Sequence, residues 1–241
     1  MHPFLSIIIP AYNEEKTIAQ ILDQVLERVQ NLGEIIIIDD GSKDNTRQIC
    51  LEYERKFPVI HYHLQPHNAG KTEALKAGFK VSTGDVVIVQ DADLEYDPAE
   101  INLVVAPILE GKADVVLGSR FLQRQTSHAV YLQHTLANRF ITAMSNLTNG
   151  LKLTDVETCY KALRGEIIRS MVITSERFGF EVEVMAKVAK LKCRVCEVPI
   201  SYQGRSYQEG KKIGVKDGVM ALIYIAKYNL FTSKKASFTN L

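Results

Sequence analysis

The chain has 241 residues, 46% of them hydrophobic and 24% charged, with a formal net charge of +1. Those proportions fit a globular protein with a sizeable core, and the near-neutral charge argues against general nucleic-acid binding. The four cysteines lack a second Cys or His pair at ligand spacing, and no run reaches the roughly 18–20 apolar residues needed to cross a bilayer.

The N-terminus runs into a short apolar strand, residues 4–9, without the basic and long apolar regions of a signal peptide. That pattern, with cysteine usage suited to a reducing compartment, sets the expectation of a cytoplasmic protein. Ile18, Ile21, Leu22, Val25, Leu26 and Val29 then recur at helical spacing. Residues 34–38 are nearly all isoleucine, as in a parallel strand buried on both faces. A polar turn over 39–45 precedes a helix to about Lys56, a strand over 59–64, a helix over 70–81 and a strand over 85–89. A helix over 98–109 and a strand over 114–117 follow. This alternation predicts an α/β fold with a mostly parallel central sheet flanked by helices.

The second half is less regular. Helices are expected over 131–147 and 181–191, a strand over 195–200, and an amphipathic helix over 215–228. The polar end, 232–241, is expected to be a disordered tail after a single domain over 1–231. Cys193 and Cys196 flank a strand-like segment on which their sulfurs would diverge, so they are read as structural. His61 and His63 share a strand face but lack a third partner and are read the same way. Lys187, Lys190 and Lys192 are read as a solvated face.

Ligands of open α/β sheets bind beyond the carboxyl ends of the strands. Three polar clusters lie there: Pro10-Ala11-Tyr12-Asn13-Glu14, Asp39-Asp40-Gly41-Ser42-Lys43-Asp44, and Asp91-Ala92-Asp93. Capping by Asn13, Ser42 or Asp97 explains one residue in each. It leaves paired carboxylates after buried strands unexplained, since charge there is costly without a partner. Asp91 and Asp93, two apart, would point the same way in an extended segment. Their repulsion is relieved by a hard dication, which also bridges the phosphates of a leaving diphosphate.

The ordered set Ile7-Ile8-Ile9-Pro10-Ala11-Tyr12-Asn13-Glu14, Ile38-Asp39-Asp40-Gly41-Ser42 and Asp91-Ala92-Asp93 resembles the inverting family 2 glycosyltransferases of GT-A fold. The match to dolichol-phosphate mannose synthase-like members extends through Asn68-Ala69-Gly70-Lys71, Gly118-Ser119-Arg120, Thr158-Cys159-Tyr160-Lys161, Val198-Pro199-Ile200, Arg205 and Glu209-Gly210-Lys211-Lys212. It covers roughly residues 4 to 230. The resemblance implies a single GT-A domain, related to the Rossmann fold, using a nucleotide-diphosphate sugar (GDP-mannose or a UDP-sugar) and Mg²⁺ or Mn²⁺. By it, Pro10, Tyr12, Glu14, Ile38 and Asp40 would hold base and ribose, and Lys71 would join substrate binding. Asp91, Ala92 and Asp93 would hold metal and diphosphate, with Glu95 as a third metal position where such synthases often carry Gln. Thr72 departs similarly, standing where Gly is frequent. Arg120 would sit near the sugar or the acceptor phosphate, and Asp91, Asp93 and Arg120 would be the catalytic set. Arg139 falls where the synthases keep a cation for the acceptor phosphate. Arg205 and Lys211 would close a loop over the diphosphate, and the flanking Gly204 and Gly210 suit hinge motion.

The acceptor decides the mechanism. A polyprenyl phosphate is already an anionic nucleophile, whereas a glycan hydroxyl needs a base, for which Asp155, Glu157, Glu181 and Glu183 are candidates. A sugar nucleotidyltransferase would want a Gly- and Arg-rich loop after the first strand, and Pro10–Glu14 has none. A non-catalytic nucleotide-sugar-binding subunit fits poorly with retention of both Asp91 and Asp93. Peripheral contact with the cytoplasmic face of a membrane is open through Val219, Leu222, Ile223, Ile225 and Ala226 with Lys216 and Lys227.

Overall fold

The computed structural model describes residues 4–122, 132–177, 179–204 and 215–239. Seven strands form one sheet in the order β3-β2-β1-β4-β6-β5-β7. β1 (Leu5–Ala11), β2 (Leu32–Asp39), β3 (Ile60–Leu64) and β4 (Val86–Val89) are parallel. Their Ile- and Val-rich runs face helices on both sides, so Ile7, Ile8, Ile9, Ile35 and Ile37 are fully buried. β5 (Val115–Ser119) and β7 (Val195–Pro199) pair in parallel with each other. Between β4 and β5 runs β6 (Lys161–Arg164), antiparallel to both.

The helices of the first half are α1 (Ile18–Arg28), α2 (Thr46–Lys56), α3 (Lys71–Val81) and α4 (Ile101–Leu109), the last preceded by a 3₁₀ turn at Pro98–Glu100. The second half adds α5 (Leu132–Asn149), α6 (Gly165–Ser170), α7 (Phe180–Leu191), α8 (Val215–Ala226), a π-helical turn at Lys227–Phe231, and α9 (Lys234–Ser237).

The sequence reading gives neither β6 nor α6. Lys161 and Arg164 bracket β6, so it carries no apolar run, yet Lys161 is fully buried. The stretch read as a disordered tail is also different: Ser233 caps α9, and Phe238 bridges to Met171 and is 8% exposed. A single apolar residue anchors a polar segment there, which composition does not reveal. Lys187, read as solvated, is 1% exposed and paired with Glu183. α7 is buried from Phe180 to Val188, so even its charged residues must find partners inside.

Strand order reverses between β1 and β4, which opens a crevice at their carboxyl ends. Because β6 is antiparallel, the segment leading into it, residues 155–160, lies at that same edge. The antiparallel strand thus delivers a fourth polar segment to the crevice.

Candidate active site

The loops after β1 and β2 are clasped together. Asn13 N donates to Ser42 Oγ (3.0 Å), Lys43 N to Asn13 Oδ1 (2.8 Å), and Glu14 N to Thr46 Oγ1 (2.9 Å). Tyr12 and Glu14 are half-buried along this clasp. Asp40 turns toward the loop before α3, where Ala69 N and Gly70 N each donate to its carboxylate at 2.8 Å. Gly41 and Gly70 take positive φ, 74° and 96°, which lets these two turns approach closely. Ile38, expected to hold the base, has its side chain in the core at 1% exposure, while Pro10 lies beside it in the β1–β2 ladder.

The Asp91-Ala92-Asp93 turn closes the end of β4. Ala92 is 3% exposed and Asp93 7%, and Asp93 Oδ1 accepts from Glu95 N at 3.0 Å. A ladder of aromatic rings supports this turn from below. Tyr96 lies 4.8 Å from Tyr160 and 5.2 Å from Tyr202, centroid to centroid. Tyr160 Oη sits 2.5 Å from Gln90 Oε1, and Tyr96 Oη accepts from Cys159 N at 3.2 Å. Among the described residues no three carboxylate, imidazole or thiol groups gather closely enough to hold a metal. Of the three expected metal positions, Asp91, Asp93 and Glu95, the last accepts from Tyr202 Oη at 2.9 Å. Mg²⁺ and Mn²⁺ take one or two carboxylates and complete their shell with phosphates and water, a chemistry that an Asp-x-Asp pair suits.

Arg120 leaves the end of β5 and grips Asp155, with Nε at 2.7 Å from Oδ2 and Nη2 at 2.8 Å from Oδ1. Burial works against the Asp155 charge, but this guanidinium holds its pKa below the ordinary carboxylate value. Asn138 adds a bond at 3.1 Å. Arg120 also lies 5.0 Å from the Tyr202 ring and 5.8 Å from Phe121, whose ring Arg139 approaches at 5.8 Å as well. Two guanidiniums thus approach Phe121, one half-buried and one exposed.

Behind the aspartate turn lies a buried cluster of charge. Lys71 Nζ is 2.8 Å from Asp91 and 3.5 Å from Glu181. Burial opposes the Lys71 charge, yet these two carboxylates more than offset it and raise its pKa well above the usual lysine value. The contact arises because α3 runs past the start of α7: Thr72 Oγ1 donates to Arg177 O at 2.8 Å, and Phe79, two turns further along α3, stacks on Phe180 at 5.4 Å. Thr72 is thus an anchor between two helix starts. Burial first, and Glu181 next, raise the pKa of Glu157 to about 7. Burial lowers that of Lys161 despite the nearby Glu181 and Glu157.

Of the four carboxylates that could serve as a base, two are fully engaged. Asp155 is held by Arg120 and Asn138. Glu183 accepts from Thr174 N, Ser175 N and Lys187. Glu157 and Glu181 each keep a buried oxygen without a partner. Arg205 and Lys211 lie outside the described residues. Tyr96 and Tyr202, which fix the aspartate turn, do not emerge from the sequence, because a buried tyrosine at a strand edge carries no motif.

The site is thus a crevice at a strand-order reversal that carries paired loops and an Asp-x-Asp turn. The model for "Glycosyl transferase family 2" matches residues 6–171. The chain belongs to this family. Among curated family relatives, an undecaprenyl-phosphate 4-deoxy-4-formamido-L-arabinose transferase of Proteus mirabilis is 34% identical, over 86% of this chain and 62% of the relative. A dolichyl-phosphate beta-glucosyltransferase of Trichomonas vaginalis is 26% identical, over 98% of this chain and 77% of the relative. A Mycobacterium tuberculosis glucosyl-3-phosphoglycerate synthase, solved with Mn²⁺, UDP-glucose and phosphoglyceric acid, superposes with a TM-score of 0.73 at 20% identity. It is covered to 81%, with 96% of this chain aligned, and the likeness establishes the same fold. The single α/β domain expected from the sequence is the architecture observed.

Proposed function

We propose that this family 2 glycosyltransferase moves a sugar from a nucleotide-diphosphate sugar to a polyprenyl phosphate, with inversion at the anomeric carbon. The observation that carries this reading is that Arg120 and the Asp91-Ala92-Asp93 turn share Tyr202, which lies 5.0 Å from the Arg120 guanidinium and donates to Glu95 just after the turn. The relatives named for undecaprenyl-phosphate and dolichyl-phosphate transfer support the acceptor class. The neighbouring structures with Mn²⁺ or Mg²⁺ and UDP support the metal and the nucleotide.

The clasped loops bearing Tyr12, Glu14 and Asp40 would receive base and ribose. Asp91 and Asp93 would hold Mg²⁺ or Mn²⁺, which would supply Lewis-acid stabilisation to the departing diphosphate. Arg139, exposed beside Phe121, would attract the acceptor phosphate, and Arg120, braced by Asp155, would present a fixed positive field nearby. The acceptor oxygen forms its bond to the anomeric carbon as the bond to the diphosphate breaks, and the nucleoside diphosphate leaves with the electron pair. Because a phosphate is already anionic, no base is required.

The test is transfer from a panel of UDP- and GDP-sugars to polyprenyl phosphate, with and without Mn²⁺ or Mg²⁺, for wild type and Asp93→Ala. Metal-dependent transfer that falls at least about a hundredfold in the variant is expected. Nucleotide-sugar binding without turnover on polyprenyl phosphate or a glycan would instead make the chain a binding subunit.

A further inference from the structure

Buried polar atoms are almost always hydrogen-bonded, so an unpaired one calls for a reason. Among the described residues five buried side-chain atoms lack a partner, and three of them belong to Glu157, Thr158 and Glu181. These three stand at one place, the carboxyl edge where the segment entering β6 meets the start of α7. Glu181 is 6% exposed and Thr158 fully buried. Glu181 is held by one oxygen near Lys71, which in turn holds Asp91, leaving its Oε2 unsatisfied. The Glu181 carboxylate therefore lies one lysine ammonium away from the turn that would grip the diphosphate.

We propose that Glu181 and Glu157, with the Thr158 hydroxyl, form the subsite for the transferred sugar and accept hydrogen bonds from its ring hydroxyls. This assignment rests on the proposed glycosyl transfer and deepens it. Three points favour a neutral polyol over the other ligands of the reaction. Two carboxylates with unsatisfied oxygens would repel an acceptor phosphate, whereas sugar hydroxyls bring the donors that these atoms lack. The guanidiniums that suit a phosphate stand instead at Phe121. An anionic acceptor also leaves no work for a base, so the orphan carboxylates need another partner. The Lys71 ammonium, 2.8 Å from Asp91 and 3.5 Å from Glu181, balances part of the negative charge here, so the carboxylates can stand together before an uncharged ligand arrives. Ring stacking of Phe180 on Phe79 fixes the start of α7, which gives Glu181 the rigidity that discrimination between sugar epimers requires.

The test compares binding of the nucleotide alone with that of the nucleotide sugar, by calorimetry with Mn²⁺, for wild type, Glu181→Gln, Glu181→Ala and Glu157→Gln. UDP is paired with UDP-glucose and UDP-N-acetylglucosamine, and GDP with GDP-mannose. Affinity for the bare nucleotide is expected to stay within about twofold, which also reports correct folding. Affinity for the preferred nucleotide sugar should fall roughly 10- to 100-fold in Glu181→Ala and less in the Gln variants, as expected for losing a hydrogen bond to a charged group. An unchanged ratio of the two dissociation constants in all variants overturns the assignment. So does a loss of kcat alone, which would make Glu181 or Glu157 a base for a hydroxyl acceptor. A wild type that binds none of these nucleotides or nucleotide sugars defeats the functional reading itself, a result separable from both.

Discussion

The Arg120–Asp155 pair shows how a single residue decides the character of the site. Asp155 is fully buried, and both of its oxygens face one guanidinium. The desolvation of such a pair nearly cancels its attraction, so its worth lies in where it points Arg120. Removing one partner is different, because it strands the other as an unpaired buried charge. Asp155→Ala is expected to lower stability by about 3–5 kcal/mol. Asp155→Asn should lose less stability yet still impair turnover, because the guanidinium is no longer fixed. Denaturant midpoints and kcat for both variants check this, and full activity in Asp155→Asn would show that Arg120 needs no brace. From sequence alone Asp155 is one of four interchangeable acids. Only contact geometry separates it, with Glu183, from the two that keep a free oxygen. Lys187 teaches the same lesson in reverse, since a lysine grouped with Lys190 and Lys192 reads as surface until its helix is seen to be enclosed.

Among the elements, those of the first half were readable because β1, β2 and β4 are continuous aliphatic runs between helices of clear period. β6 escaped because it is four residues long and is specified by its neighbours on both sides, not by its own pattern. The Asp-x-Asp turn was legible as a motif, while its support by Tyr96, Tyr160 and Tyr202 depends on contacts between segments far apart in sequence. Helix α3 supplies a test of how tightly the sheet is covered near the crevice. A Cβ on Gly78 would stand 2.4 Å from Ile8 Cγ2 of β1. In an open helix, Gly→Ala adds about 1 kcal/mol of stability. Here overpacking costs about 1–3 kcal/mol and should win. Gly78→Ala is thus expected to be destabilised by up to about 2 kcal/mol, read as a fall in the denaturant midpoint. A rise in that midpoint would mean that Ile8 relaxes freely and that α3 does not sit hard on β1.

At the scale of the whole molecule, exposed apolar surface is unevenly distributed. Of the 14 large hydrophobic side chains exposed among the described residues, eight lie on α5, α8 and the adjoining π-helical turn. α5 packs against α8, which makes their outer faces neighbours. Leu136, Phe140 and Leu147 project from the first, Val219, Met220 and Ile223 from the second, and Leu230 and Phe231 from the turn. Phe231 is 82% exposed and Leu147 77%, a concentration that marks an interaction surface. Its charge is one-sided: Lys216, Lys227, Lys234 and Lys235 are exposed, and Asp217 is the single acid in residues 215–239. No described helix is long and apolar enough to cross a membrane, so a bilayer would be met from its surface. Apolar side chains ringed by lysines match an anionic bilayer surface, and a polyprenyl phosphate acceptor would be presented from such a surface. The protein is expected to float with vesicles of phosphatidylcholine and phosphatidylglycerol, and less with phosphatidylcholine alone. Each lysine near the surface contributes about 1 kcal/mol at low salt, so raising ionic strength should weaken the association. Ile223→Asp with Phe231→Asp removes two side chains worth about 1.5–3 kcal/mol each when buried, and should lower partitioning at least about tenfold. Because both positions are exposed and far from the aspartate turn in sequence, nucleotide binding should persist in the double variant. A wild type that stays with the soluble fraction on anionic vesicles would rule this surface out as a bilayer contact and leave the lipid acceptor to be delivered another way.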